Sequence, residues 1–199
     1  MAPFSVLHVC MGNICRSPMA ERLTLVAAGE LAGPAATGLL YVHSVGTGGW
    51  HAGEPMNPPA ARQVRTRGGD PVGFAARRLR GEHLDGSDLI LTATGEQAEY
   101  VAGLRPDAAG RTFVLGEFGR LLARLEPAGL PASGTDPDAV YARGVALVAA
   151  VDAAREGRPS LPGDDLDDPW GRSDAYFARV ADEIDATVRP LVAVLLDGR

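Results

Sequence analysis

VCMGNICRSP, residues 9–18, follows without a break on the apolar run Phe4-Ser5-Val6-Leu7-His8. It holds both cysteines of the chain, Cys10 and Cys15, with Arg16, Ser17 and Pro18 directly behind. A short apolar run stopped by Gly12-Asn13 reads as a buried strand, here Val6 to Val9. Ser17 can cap a helix whose first position is Pro18, where the missing N–H costs nothing. That helix runs through Leu23, Leu25 and Val26 toward Gly29. The quoted stretch is therefore a tight strand-to-helix loop.

The same alternation continues outward. Leu39 to Val45 reads as a second strand, ended by Gly46-Thr47-Gly48-Gly49, and Asn57-Pro58 repeats the cap-plus-proline start of a helix over Ala60 to Arg67. Asp88 to Thr92 is a third strand and Arg111 to Leu115 a fourth, followed by helices at Glu96 to Leu104 and Phe118 to Leu125. Strands alternating with helices predict βαβ units. The expected fold is a single α/β domain over residues 1–199: a four-stranded parallel sheet, Rossmann-like, with helices on both faces. Sites in such sheets lie beyond the carboxyl ends of the strands, where residues 9–18 fall.

Residues 126–166 read as an elaboration. Residues 126–137 are rich in Pro and Gly, Ala139 to Arg155 is helical with Val140, Val145, Val148 and Val151 turned inward, and Gly157 to Gly171 is a loop carrying Asp164, Asp165, Asp167 and Asp168. The final helix starts near Ser173, with a stripe of Tyr176, Val180, Ile184, Val188, Leu191 and Leu195 facing the sheet and a kink expected at Pro190.

A chain of 199 residues, 46% hydrophobic, can bury a core without disulfides or metals. Its net charge of −6 argues against a general nucleic-acid binder. All nineteen basic residues are arginine, so a single surface arginine carries little functional information. The start, Met1-Ala2-Pro3-Phe4, lacks the charged and apolar regions of a signal peptide. No stretch approaches the ~18 apolar residues of a membrane span. A soluble cytoplasmic protein, with no membrane partner, is the expectation.

The chemistry lies in Cys10 to Arg16. Gly12 and Asn13 tolerate unusual backbone angles, so successive N–H groups of Met11, Gly12, Asn13, Ile14, Cys15, Arg16 and Ser17 can turn inward as a nest for an anion. The helix that follows adds its positive end, and Arg16 offers a planar fork matched to two phosphate oxygens. A cysteine beside a helix start and an arginine favours its thiolate, and the Ser17 hydroxyl can donate to it. A thiolate beneath a bound phosphoryl group is placed for in-line attack on phosphorus, with the amides and Arg16 stabilising the equatorial oxygens. No Gly-Lys-Ser/Thr follows, so nucleotide triphosphate binding is not implied. Cys10, Cys15 and His8 have no second Cys/His pair of zinc spacing among His43, His51 and His83, so no metal and no cofactor are expected. Those histidines read as surface or hydrogen-bonded residues.

The string Cys-x-Gly-Asn-x-Cys-Arg-Ser-Pro resembles the signature of low-molecular-weight protein tyrosine phosphatases. The resemblance extends to residues 44–55 (SVGTGGWHAGEP), to Asp88-Leu89-Ile90-Leu91 and to Asp168-Pro169-Trp170. It implies Cys10 as nucleophile, Arg16 as phosphate clamp, Ser17 as stabiliser of the thiolate and Asn13 as holder of the strained loop. It further implies Asp168 as general acid and base, and Trp50 and Trp170 as walls stacking on an aromatic ring. Cys15 would be the family's second cysteine, either a redox partner of Cys10 or a small packing residue. The implied substrate is a phosphotyrosine-containing protein or a small aryl phosphate, with inorganic phosphate as product. Three departures stand out: Phe74 where the family usually has a histidine that orders the loop, Thr94 where it has an aspartate, and Gly171 where it often has a second aromatic. A thiol- or redoxin-dependent arsenate reductase and a non-catalytic phosphate-binding module are the competing readings.

Overall fold

The computed structural model describes residues 2–132 and 134–196. Residue 133, inside the expected 126–137 loop, lies outside them. In chain order the elements are β1 (Phe4–Cys10), α1 (Arg16–Ala32), α2 (Ala36–Leu39), β2 (Leu40–Gly46), α3 (Pro58–Thr66) and α4 (Gly81–Asp85), then β3 (Leu89–Thr92), α5 (Gly95–Leu104), β4 (Thr112–Val114), α6 (Leu115–Leu122), α7 (Pro137–Arg155) and α8 (Asp174–Leu196). The four strands form one parallel sheet in the order β2-β1-β3-β4, as the alternation of elements predicts.

Both faces of the sheet are covered because side chains alternate along each strand. Phe4, Val6 and Cys10 of β1 join Leu89, Leu91 and Phe113 in a large core with α1, α6, α7 and α8. Leu7, Val9, Val45 and Ile90 point the other way and pack with Leu84 of α4 and Val101 of α5.

Several boundaries differ from expectation, for local reasons. Helix α1 starts at Arg16 with no side-chain cap; the Ser17 hydroxyl is engaged by Cys10 and by the Val45 carbonyl. Asn57 likewise precedes α3 without a side-chain cap bond; its backbone N–H goes to the Ile14 carbonyl at 2.8 Å. Strand β4 ends at Val114 and α6 begins at Leu115, because Glu117 Oε2 accepts the Val114 N–H at 3.1 Å and closes the first helical turn. Helices α2 and α4 have four and five residues, too short for an apolar period to reveal. Helix α8 runs through Pro190 without interruption. Val145, expected to face inward, is exposed, because the buried face of α7 is carried by Val140, Gly144, Leu147, Val148 and Val151.

Helix α7 packs at the amino ends of the strands, away from the loop at residues 9–18. Tyr141 of α7 donates to Asp88 Oδ1 at 3.1 Å, and Asp88 Oδ2 accepts the Ser5 N–H at 2.8 Å. Arg155 lies 4.0 Å over the Phe113 ring and donates to the Thr112 carbonyl at 2.8 Å. At Gly144 an added Cβ would sit 2.4 Å from the Phe4 ring, so the helix touches the start of β1 at a position only glycine permits. All these partners lie at the amino ends of β1, β3 and β4. Only after α7 does the chain return, when the Leu166 N–H reaches the Ala93 carbonyl at 2.8 Å.

Candidate active site

Cys10 is the last residue of β1 and Arg16 the first of α1, so one loop joins the two. The segment after β2 fixes that loop from outside. The Thr47 and Gly48 N–H groups donate to the Cys10 and Met11 carbonyls, each at 2.9 Å. Gly46 permits the approach, since a Cβ there would lie 2.6 Å from Met11 O.

Inside the loop Asn13 adopts φ 56°, a left-handed conformation that asparagine tolerates better than most residues. Its side chain holds that strain. Asn13 Oδ1 accepts the Arg77 N–H at 2.7 Å, and Nδ2 donates to Ser17 Oγ and Ser44 Oγ, both at 2.9 Å. The Asn13 backbone N–H points at Cys10 Sγ from 3.3 Å, and Ser17 Oγ lies 2.9 Å from the same sulfur. Cys10 itself is only 2% exposed. Phe74 gives the loop no polar contact; it is buried with the Arg22 guanidinium 6.0 Å from its ring centre. The loop is held without it.

Residues 5–126 match the family model described as low molecular weight phosphotyrosine protein phosphatase. The chain belongs to this family. The low molecular weight protein-tyrosine-phosphatase YfkJ of Bacillus subtilis is 38% identical over 101 residues, which is 51% of this chain and 61% of that one. Low molecular weight protein-tyrosine phosphatase A of Mycobacterium tuberculosis is 36% identical over 107 residues, 54% of this chain and 63% of its own. The chain thus spans less than two thirds of the length of these two relatives. Among solved structures, Erwinia amylovora tyrosine phosphatase AmsI superposes with a TM-score of 0.65 at 21% identity, covering 98% of this chain and 94% of AmsI. The crystal structure of B. subtilis YfkJ gives 0.66 at 24% identity, covering 97% and 94%. The phosphatase fold therefore extends well past residue 126, where the family-model match stops.

Asp168 belongs to that outer part, and the structure separates it from its three neighbours. Asp164 grips Arg120 through both oxygens, at 2.9 and 2.6 Å. Asp165 accepts the Gly95 N–H at the start of α5, at 2.8 Å. Asp167 accepts from Tyr176 at 2.9 Å and Arg179 at 2.7 Å. Asp168 alone of the four lines the cleft above Cys10, where Oδ2 accepts from Arg16 at 3.0 Å and Oδ1 from the Trp170 N–H at 3.1 Å. Arg16 is 5% exposed, its other terminal nitrogen donates to the Leu166 carbonyl at 3.1 Å, and its buried Nε has no hydrogen-bond partner among the described residues.

The cleft measures about 210 Å³ and is lined by Cys10, Gly12 and Arg16 below and by Trp50, Asp168 and Trp170 above. Each tryptophan is 64% exposed, so both rings stand at the mouth of the cleft and not in the core. Cys15 also lines it, but burial and the neighbouring Cys10 and Asp168 push its thiol up to about 12, which keeps it protonated and a poor nucleophile.

Three contributors were not legible as such. His51 lines the cleft, with Nδ1 bound to Glu54 Oε2 at 2.8 Å; its place in the 44–55 segment beside Trp50 was the signal. Ser44 lies at the end of β2, where alternation places it toward the loop. Glu21 is buried four residues beyond Ser17 on α1 and accepts from Ser44 Oγ at 2.6 Å. Burial pushes its carboxyl up, against the pull of the Ser44 hydrogen bond and the charges of Arg22 and Arg77.

Proposed function

We propose that the protein hydrolyses phosphate monoesters, phosphotyrosine or another aryl phosphate, through a phosphocysteine on Cys10. The observation that carries this reading is convergence: Asp168 lies 152 residues from Arg16 in sequence yet 3.0 Å from it in the cleft above Cys10.

The dianion enters the loop, where main-chain N–H groups take its equatorial oxygens and the free Nε of Arg16 supplies a further donor. Cys10 Sγ attacks phosphorus from below as the P–O bond to the leaving group breaks. The protonated Asp168 carboxyl delivers its proton to the departing oxygen. The resulting carboxylate then takes a proton from water as that water attacks phosphorus, the P–S bond breaks and inorganic phosphate leaves. General acid–base assistance of this kind contributes ~10²–10⁴-fold. An aryl leaving group fits the mouth, since Trp50 and Trp170 offer flat apolar faces above a polar floor.

The test is steady-state kinetics of the wild type and Cys10→Ser on an aryl phosphate and on arsenate with a thiol reductant, side by side. Hydrolysis by the wild type alone, with phosphorus captured on Cys10 by rapid quench, supports the reading. Arsenate turnover without aryl phosphate turnover overturns it.

A further inference from the structure

The mouth of the cleft carries charge that no carboxylate of the described residues neutralises. Trp50 and Trp170 form its walls, and an exposed arginine stands beside each. On one side the Trp50 ring lies where a Cβ on Gly48 would stand, and a Cβ on Gly49 would fall 2.8 Å from Arg78 Cδ. The stem of Arg78 is thus pressed against the Trp50 loop. It is held there by its neighbour Leu79, whose N–H donates to the Gly46 carbonyl at 2.7 Å. On the other side Arg172 follows Trp170 by two residues. Its N–H donates to the Pro169 carbonyl at 2.9 Å, and its guanidinium lies 5.7 Å from the centre of the Tyr176 ring. Neither arginine side chain has a hydrogen bond or an ion pair among the described residues.

The acids on the same segments are already engaged: Glu54 with His51, Asp167 with Arg179, Asp168 with Arg16 and Asp174 with Arg62. The charge left over at the mouth is therefore positive, on a chain whose net charge is −6. An unpaired guanidinium can take a ligand carboxylate without first releasing one of its own. A ring seated between the tryptophans, with its phosphate in the loop below, brings whatever is attached to that ring to this rim. For phosphotyrosine, that is the peptide on either side of it.

We propose that Arg78 and Arg172 are specificity-determining residues: they select phosphotyrosine flanked by aspartate or glutamate. The inference rests on the phosphotyrosine reading above and names the class of peptide.

The test measures kcat/KM on phosphotyrosyl peptides with glutamate, alanine or lysine flanks, and on p-nitrophenyl phosphate. It compares the wild type, Arg78→Ala, Arg172→Ala, the double variant and Arg124→Ala. Arg124 also lacks a side-chain partner but follows α6, away from the cleft. The wild type is expected to favour glutamate over alanine flanks, and alanine over lysine. Each single variant loses about two- to fivefold on the glutamate peptide, the worth of one exposed ion pair, and the double variant loses the preference. Added salt shrinks the wild-type preference. Turnover of p-nitrophenyl phosphate changes by less than about twofold, and Arg124→Ala keeps the wild-type preference. Equal rates on glutamate and alanine peptides in the wild type, a preference that survives in the double variant, or an equal loss on p-nitrophenyl phosphate overturns the proposal. Turnover of p-nitrophenyl phosphate but of no peptide overturns it too and leaves the phosphatase reaction standing. A wild type that turns over none of these substrates removes that reaction instead; the affinities of Cys10→Ser for the same peptides, by fluorescence anisotropy, then decide the preference on the same criteria.

Discussion

The two ends of the sheet are built from different interactions. At the carboxyl end Asn13, Ser17, Ser44 and Glu21 are buried polar groups, each with a named partner. At the amino end the contact between α7 and β1 is dominated by fit, with Gly144 against the Phe4 ring and Val140, Leu147 and Val151 fully buried, beside the half-buried Tyr141–Asp88–Ser5 bonds. Directional bonds fix where a few atoms stand, whereas close packing fixes how much the assembly resists unfolding. Damage at one end should therefore appear in rate, and damage at the other in stability.

The sharpest way to break this contrast is Cys10→Ser, expected to abolish measurable turnover of an aryl phosphate while the melting temperature stays within a few degrees; calorimetry beside kinetics checks both halves. Next comes Asp168→Asn, expected to lower kcat by ~10²–10³-fold on a substrate with a poor leaving group and much less on an activated one. Equal loss on both substrates would remove Asp168 from the proton transfer. Gly144→Val reverses the pattern: overpacking against Phe4 is expected to cost about 2–3 kcal/mol of stability, read from urea midpoints, with kcat unchanged.

A smaller effect sharpens the comparison from a third direction. His8, on the same face of β1 as Cys10, is fully buried and depressed to about 3 by desolvation, with the charge of His43 a lesser cause. His43 is itself lowered to about 4, chiefly by burial. A folded-state value below the unfolded value means that the unfolded chain binds more protons between the two. Stability is then full above about pH 6.5 and falls as the pH drops toward 3. For His8 alone the loss at pH 5 is about 2 kcal/mol. His8→Gln should narrow the gap between urea midpoints at pH 7.5 and pH 5. An unchanged gap would show that His8 does not carry the acid sensitivity.

How much of this the sequence showed depended on the kind of signal. The alternation of apolar runs and glycine stops was enough for four parallel strands, because strand and helix periods are local properties. The loop from Cys10 to Arg16 was legible because its residue types have few other uses together. Ser44 and Glu21 were not, since a serine in a strand and a glutamate in a helix are ordinary, and only the tertiary approach of β2 to α1 gives them partners. The four loop aspartates looked alike for the same reason: Arg120, Gly95, Arg179 and Arg16 distinguish them, and none is their neighbour in sequence. Ser17 resembled a helix cap, but the loop takes its hydroxyl for itself; Asn57 and Pro58 do start α3 as expected, without a side-chain cap bond. Val145 was misplaced because an alanine-rich helix presents weak amphipathic contrast.

The ion pair between Arg16 and Asp168 has a bearing on how an anion is captured. An oxyanion arriving in the cleft meets a guanidinium that already holds a carboxylate through one terminal nitrogen and has Nε open. Because that carboxylate already offsets the guanidinium charge, a distant oxyanion feels less net attraction, which makes the encounter less sensitive to ionic strength than capture by a bare cation.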